Sequence, residues 1–465
     1  MLLPGCAIPL LLLAADWGQF RGPNASGVSA DVNLPSELRP DRHVVWKTAL
    51  PPGYSSASVA GDRIFLTALE DEKLFTFCLD RVSGRILWRR EAPRPRKQEM
   101  QRANTPVSAT PATDGKSVYS FFQDFGLIAY GPDGNELWRM ALGPFNNPFG
   151  HGSSPVIVGD MLLMNLDQDT GSFLLALDRK SGKVLWKTPR EHAQRGYSTP
   201  VVNSKQVLVA GSYRLSGYDL ATGREQWWIA GLPWQIKPTP IVHEGVVYFV
   251  TFSGESDPGE QEKVPAFADA LVLLDKNKDD RLSKDEIVDA KAKARFDEYL
   301  DLDHTGFLEE RDWDRFRDRR LGESALRAYR IDGAKGDITE SGFLWKNSKT
   351  LPNVPSPLLY QGVLYTLKEG GIFSSFNPKT GEVLKQGRLQ GALGTYYSSP
   401  VAADGKIYLA NEDGKTVVLK AGAQWEILST GEFDAGIKAT PAITGGRIYL
   451  RTHNALYCFD AKSAQ

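Results

Sequence analysis

One pattern governs how this chain can fold: a short apolar strand ending near an aspartate, a tight turn through glycine, and a return strand with tryptophan four residues beyond that glycine. Its fullest copy is FLLALDRKSGKVLWKT, residues 173–188. Others read FCLDRVSGRILWRR at 77–90, IAYGPDGNELWRM at 128–140, LSGYDLATGREQWWI at 215–229, SSFNPKTGEVLKQ at 374–386 and LKAGAQWEIL at 419–428. Gly84, Gly134, Gly182 and Gly223 precede Trp88, Trp138, Trp186 and Trp227, and Lys385 takes the tryptophan's place in the copy at 374–386. Alternation of apolar and polar residues marks strands, and glycine supplies the positive φ that a tight hairpin turn demands.

A Ser/Thr-Pro step leading into an apolar strand counts the same units independently. It stands at Thr110-Pro111, Ser154-Pro155, Thr199-Pro200, Thr239-Pro240, Ser356-Pro357, Ser399-Pro400 and Thr440-Pro441, and residues 55–65 supply one more copy with Ala57 in place of proline. The prolines lie 44, 45, 40, 117, 43 and 41 residues apart. A period in the low forties with about four short strands per unit is that of a β-propeller, whose blades bury their faces against their neighbours. The long interval marks an insertion. The last unit stops at ALYCFDA (455–461) without its Trp strand, while the first is preceded by an orphan one, HVVWKTAL (43–50). Trp46 is therefore expected to complete the eighth blade and close the ring with no free sheet edge. The expected class is all-β: an eight-bladed β-propeller with a small α-helical insertion in blade 5.

Length and charge agree. Blades of roughly 43 residues occupy about 345 of the 465, leaving room for the insertion and an N-terminal strap. A net charge of −1 exerts no general pull on nucleic acid or anionic membranes. Residues 1–15, MLLPGCAIPLLLLAA, form an apolar run ending in small residues. This is expected to be a signal peptide, making the protein periplasmic or secreted, with a lipid anchor at Cys6 as the lesser alternative. No other stretch has the ~20 apolar residues that span a bilayer. Cys78 and Cys458 each stand two residues before an aspartate, Asp80 and Asp460, on blades that closure makes neighbours. Sheets stacked ~10 Å apart hold such positions beyond disulfide reach, so both are expected as buried free thiols. The organisation expected is a signal at 1–15, strap, closing strand and blades 1 to 5 at 16–252, the insertion at 253–324, and the rest of the ring at 325–465.

Ahead of the first blade, DWGQFRGP (16–23) carries Trp17 and Phe20, which would pin a strap across the ring, with Arg21 and Asn24 reaching a ligand as the alternative. The repeated G-x-x-Y/F…A-x-D-x-x-T-G-x-x-x-W pattern, together with the leader DWGQFRGPN, resembles the PQQ-binding-like β-propeller repeat proteins, relatives of the quinoprotein alcohol dehydrogenases. For activity the resemblance implies either a dehydrogenase or a non-catalytic binding propeller such as the outer-membrane assembly factor. The dehydrogenases of that superfamily carry adjacent cysteines beside the quinone, a channel calcium held by carboxylate and amide groups, and a catalytic aspartate. This chain has no adjacent cysteines. The loops ahead of the Ser/Thr-Pro steps, which should ring the channel mouth, offer Arg102, His151, Arg195, Trp234, Lys237, Tyr396 and Lys438 but only Glu191 as a carboxylate. A hard cation there would lack oxygen ligands and a base would lack a partner, so PQQ is not expected. The aromatic, cationic mouth suits a protein, a peptide or a small anionic ligand. His151, with no Ser, Cys or Asp motif beside it, reads as a hydrogen-bonded loop residue rather than a base.

The insertion loses the strand alternation and takes helical spacing at Phe267, Leu271 and Leu274 and again at Phe296 and Leu300. Replacing a hairpin turn, it should stand as an appendage on one rim. Two of its loops resemble EF-hands. In loop 1, DKNKDDRLSKDE (275–286), Asp275, Asn277 and Asp279 fill positions 1, 3 and 5, Arg281 offers its carbonyl at 7, Ser283 stands at 9, and Glu286 supplies the carboxylate at 12. Asp280 takes position 6, where the turn wants glycine, at a cost of about 1 kcal/mol. In loop 2, DLDHTGFLEERD (301–312), Asp301, Asp303 and Thr305 fill 1, 3 and 5, Gly306 suits 6, Phe307 offers its carbonyl at 7, Glu309 stands at 9, and Asp312, one methylene shorter than glutamate, takes 12. Leu282 and Leu308 match as the bridging residues of a loop pair. Calcium is the expected ion, with loop 1 the tighter site. The expected function is that of an exported calcium-binding propeller acting as a non-catalytic binding or scaffold protein. The alternative is a PQQ-dependent quinoprotein dehydrogenase.

Overall fold

The computed structural model describes residues 16–101, 103–253 and 264–463; the expected signal peptide with Cys6, and Arg102, lie outside them. Eight blades, each with four antiparallel strands, are arranged around an axis, their innermost strands side by side. Blade 1 runs Ser58–Ala60, Arg63–Glu70, Lys73–Asp80 and Ile86–Ala92, from the axis outward. Its middle strands have neighbouring blades on both faces. Accordingly Leu74, Phe75, Thr76, Phe77, Cys78 and Leu79 are all buried, while in the outermost strand only Trp88 and Ala92 are. Apolar or small residues are thus required at successive positions in the middle strands, and simple alternation holds only toward the outer edge.

Blade 8 is completed from the other end of the chain. Val44–Ala49 pairs antiparallel with Ala455–Phe459, setting Trp46 opposite Cys458. A second closure runs around the inner wall. The backbone N–H of each Ser or Thr of the Ser/Thr-Pro steps, with Ser56 as the member that precedes Ala57, donates to the hydroxyl of its counterpart one blade on. Ser56 gives to Thr110 at 3.0 Å, Thr110 to Ser154 at 3.0 Å, and so on through Ser399 to Thr440 at 3.0 Å and Thr440 back to Ser56 at 3.0 Å.

The repeated glycines have a role beyond their turns. Trp46, Trp88, Trp138, Trp186 and Trp345 each lie over the turn glycine of the next blade, respectively Gly84, Gly134, Gly182, Gly223 and Gly381, where an added Cβ would come within 2.8 Å of the indole. Each indole also donates into that turn, as Trp88 Nε1 does to Pro132 O at 2.9 Å and Trp138 Nε1 to Arg179 O at 2.9 Å. The spacing of glycine and tryptophan is therefore a clasp between blades. Blade 4 departs from it: Trp227 lies over Gly217 of its own sheet, and Gly336–Asp337, from blade 5, adds a parallel fifth strand outside it.

The strap crosses the face that holds the turns between first and second strands. Trp17 bridges to Val59 and is buried, Gly18 O accepts from Thr113 N at 2.7 Å, and Asn24 Oδ1 accepts from Val202 N at 2.9 Å. Arg21 donates to Pro357 O at 2.7 Å, and Asp31 accepts from Gly446 N at 2.7 Å. Arg21 and Asn24, the strap's candidate ligand contacts, thus serve the ring itself. Cys78 and Cys458 are buried free thiols.

The insertion leaves the ring between the second and third strands of blade 5, Val246–Thr251 and Ala325–Arg330. It comprises α1 (Phe267–Leu274), α2 (Ala290–Ala294), a π-type turn (Phe296–Leu300) and α3 (Glu310–Leu321). Leu282 pairs with Leu308 across a two-residue bridge, and both are buried with Ala270, Phe296, Leu300 and Trp313 in a separate small core. Among the described residues no helix is long and apolar enough to cross a membrane.

Candidate functional site

In an antiparallel four-stranded blade, the connection from the second to the third strand and the connection onward to the next blade emerge on the same face. The insertion belongs to the first set, so it rises on the face where the Ser/Thr-Pro loops gather. Within that ring is an axial cavity of about 200 Å³. Phe20 of the strap contributes to its lining, as do Tyr54, Phe149, Tyr197 and Tyr397, the two amines of Lys237 and Lys438, and the hydroxyl belt. Its described lining residues include no carboxylate, cysteine or histidine.

The two lysines differ. Burial holds the Lys237 amine down at about 8, and its hydrogen bond is to Gln235 O at 3.1 Å. Lys438 is desolvated too, but Glu412 at 2.9 Å and the nearby Tyr54 hold it above the usual lysine range. Its ammonium lies 4.5 Å over the Tyr54 ring and 4.6 Å over that of Tyr397. The cavity thus presents one firmly charged and one easily discharged amine between aromatic walls.

The other residues that the sequence assigns to the mouth are bound into structure. Tyr396 is fully buried with its hydroxyl on Ala392 O, and it is Tyr397 that lines the cavity. His151 donates its Nδ1–H to Gln123 Oε1 at 2.7 Å and packs against Phe145 at 4.5 Å; burial lowers its pKa to about 4. Arg195 is paired with Asp169, a buried carboxylate that a survey of the Ser/Thr-Pro loops alone passes over. Asp167, two residues earlier, is fully buried against Arg190 at 2.7 Å. Both aspartates sit between the second and third strands of blade 3, and the shared face of the two loop sets is the signal that finds them.

The insertion lies back over the mouth instead of standing clear of it. Arg195 donates to Glu298 O at 2.8 Å, Asn146 to Leu302 O at 3.4 Å, and Arg315 to Glu191 O. Trp234 is buried, with Tyr299 5.5 Å away and the Arg319 guanidinium 4.6 Å over its ring.

Among the described residues no three His, Cys, Asp or Glu side chains already converge as a cation cage. The two loops differ in why. In loop 1 Asp275 accepts from the N–H groups of Lys278 at 2.7 Å and Asp280 at 3.0 Å. Glu286 accepts from Lys276 N at 2.9 Å and Ser283 N at 2.8 Å, and these backbone donors, Ser283 first, bring its carboxyl down to about 2. Asp280 holds φ at 60°. In loop 2 Asp301 accepts from Thr305 N at 2.9 Å and Gly306 N at 2.7 Å. There the buried Oδ1 atoms of Asp303 and Asp312 have no hydrogen-bond partner. Burial, then the Asp303 charge, raises the Asp312 carboxyl above its usual range.

Several known proteins are similar to this chain in sequence or in fold. Over 246 residues the chain is 27% identical to polyvinylalcohol dehydrogenase of a Pseudomonas species, covering 49% of this chain and 33% of that protein, so the match spans a third of the relative's length. Among solved structures, BamB from Moraxella catarrhalis superposes with a TM-score of 0.57 at 13% identity, covering 90% of this chain and 99% of its own. Quinohemoprotein alcohol dehydrogenase from Comamonas testosteroni gives 0.59 at 11% identity, covering 97% and 81%. The family model described as outer membrane protein assembly factor BamB matches residues 38–260 and 327–465, breaking only across the insertion. With most of its length so matched, the chain belongs to the BamB family of β-propellers.

Proposed function

We propose that this protein is a non-catalytic binding propeller of the cell envelope that takes a small anionic ligand, or the carboxylate end of a peptide, into its axial cavity, and that its insertion is an EF-hand pair that binds calcium. The carrying observation is the cavity lining, where Lys237 and Lys438 stand among hydroxyls and aromatic rings; the described lining residues include no carboxylate, and Glu412 pairs with Lys438 from behind that lining. Each belt hydroxyl accepts a backbone N–H, which leaves its own hydrogen for an acceptor on the axis. Among the described lining residues, none matches a nucleophile paired with a base or a carboxylate-bound calcium beside a quinone. Export through residues 1–15 and a periplasmic or secreted location accord with the family.

For the insertion, the fit lies in loop 2. Asp301, Asp303, Thr305, the Phe307 carbonyl and Asp312 are the oxygen ligands such a loop uses, and two of the carboxylates have buried, unpartnered oxygens. Glu286 of loop 1 must first give up its backbone donors, so loop 2 becomes the tighter site despite its shorter Asp312.

Calorimetry of the purified chain tests both parts. Carboxylate ligands should bind, and Lys237→Met should weaken them at least about tenfold, a charged hydrogen bond being worth about 1.5–3 kcal/mol. Ca²⁺ should bind in the ~10⁻⁴ to 10⁻³ M range of extracellular modules, with Asp301→Ala removing the tighter site and Asp312→Glu strengthening it. Quinone absorbance with alcohol oxidation after addition of PQQ and Ca²⁺ would replace the binding role with the dehydrogenase one.

A further inference from the structure

The cation loop of the insertion lies between the two elements that grip the cavity rim. Loop 2 follows directly on the π-type turn that carries Tyr299 and runs into α3, which carries Arg319. The Arg319 guanidinium sits 4.6 Å over the Trp234 ring and 5.3 Å over Tyr299, while Arg195, from the ring side, sits 5.1 Å over Trp234. Trp234 and Tyr299 also wall a second cavity of about 260 Å³ with Gln235, Asn353 and Lys237. Lys237 lines the axial cavity as well, so this one residue borders both spaces.

At the other end of this clamp Asp312 is 3% exposed and its Oδ1 is without a hydrogen-bond partner, as is the buried Oδ1 of Asp303. The charges facing them are those of Arg311, on Asp303, and of Arg311 and Arg315, each 3.9 Å from Asp312. The geometry points to a cation-set lid: a divalent cation in loop 2 draws Asp301 and Asp303 toward Asp312, fixes the Tyr299 turn against α3, and so holds the clamp shut on Trp234 and closes the passage at Lys237. This rests on the calcium reading of the insertion given above. Without the cation, mutual repulsion of the three carboxylates loosens the joint between the turn and α3. By linkage, whatever the cation contributes to the closed form, the closed clamp returns to cation binding.

The test uses the full chain with Ca²⁺ or a chelator. Calorimetry reads metal binding, and peptide mass spectrometry reads the rate at which acetic anhydride acetylates Lys237 at pH 8. Ca²⁺ should slow that rate about five-fold or more, the lower end of ordinary coupling between sites, and leave Lys180, 69% exposed at its side chain, unaffected. Asp312→Ala should abolish the slowing with the metal site. Tyr299→Ala should abolish it while Ca²⁺ still binds, and Tyr299→Phe, which keeps the ring, should retain it; melting curves identify any variant that fails to fold. If Ca²⁺ binds and Lys237 reacts at an unchanged or faster rate, the lid is overturned and the metal site stands. If no Ca²⁺ binds, both fall.

Discussion

The backbone N–H of Thr440 donates to Ser56 Oγ at 3.0 Å and joins the last blade to the first through the inner wall. Both residues are buried. Ser56→Ala strands the N–H, at an expected cost of about 1–3 kcal/mol. Ser56→Thr, which keeps the acceptor, should be far milder. Urea unfolding with an unchanged m-value checks the pair.

Removing residues 41–50 takes away the strand that pairs with Ala455–Phe459. Blade 8 then ends in a strand with one unpaired edge, flanked by apolar faces, an invitation to pair with another chain. The truncated protein should aggregate or lose its cooperative melt. A melt like the parent's would show that the belt alone closes the ring.

Gly182 and Gly362 have nearly the same backbone, with φ of 71° and 73°, but only at Gly182 would a Cβ strike a neighbour, the Trp138 ring at 2.7 Å. Gly362→Ala should cost about 1–2 kcal/mol from the left-handed conformation alone. Gly182→Ala should add a further 1–3 kcal/mol of overpacking, roughly. Equal losses in chemical denaturation would refute the clasp between blades.

Burial lowers the Lys237 pKa from 10.5 to about 8. Below pH 8 the amine is charged in both folded and unfolded chains and the full desolvation cost weighs on the fold. Between pH 8 and 10.5 the unfolded chain binds the extra proton, so this group's cost is relieved as pH rises. Lys237→Met should therefore be more stable than the parent at pH 7, with the gap narrowing toward pH 10. A gap that widens instead would mean the amine gains from its site.

The ring was legible in the chain because its determinants are local: the Ser/Thr-Pro step, the Gly-to-Trp spacing and the orphan strand around Trp46 each announce a blade within a few residues. Lys237 and Lys438 were legible for the same reason, each standing two residues before a belt threonine. Tyr396 and Tyr397 show the limit, since one residue of register turns a side chain from the cavity to the core. Asp167 and Asp169 escaped because their place at the mouth comes from antiparallel topology and not from any motif. The docking of Tyr299 and Arg319 on Trp234 depends on surfaces far apart in sequence, and no spacing records it. For loop 1, ligand identity alone favoured the longer Glu286, whereas the folded loop shows those oxygens engaged by backbone donors.

The strap has a consequence for traffic. By crossing one face of the ring and setting Phe20 at the base of the axial space, it turns a pipe into a cup. A cup has one doorway. On the binding role proposed above, an occupant between Lys237 and Lys438 leaves by the route it came, so an obstruction at the rim that does not touch it slows arrival and departure in equal proportion. Such a change alters how long the occupant stays without altering how tightly it is held, and the rim loops can set a residence time independently of the affinity set by the walls.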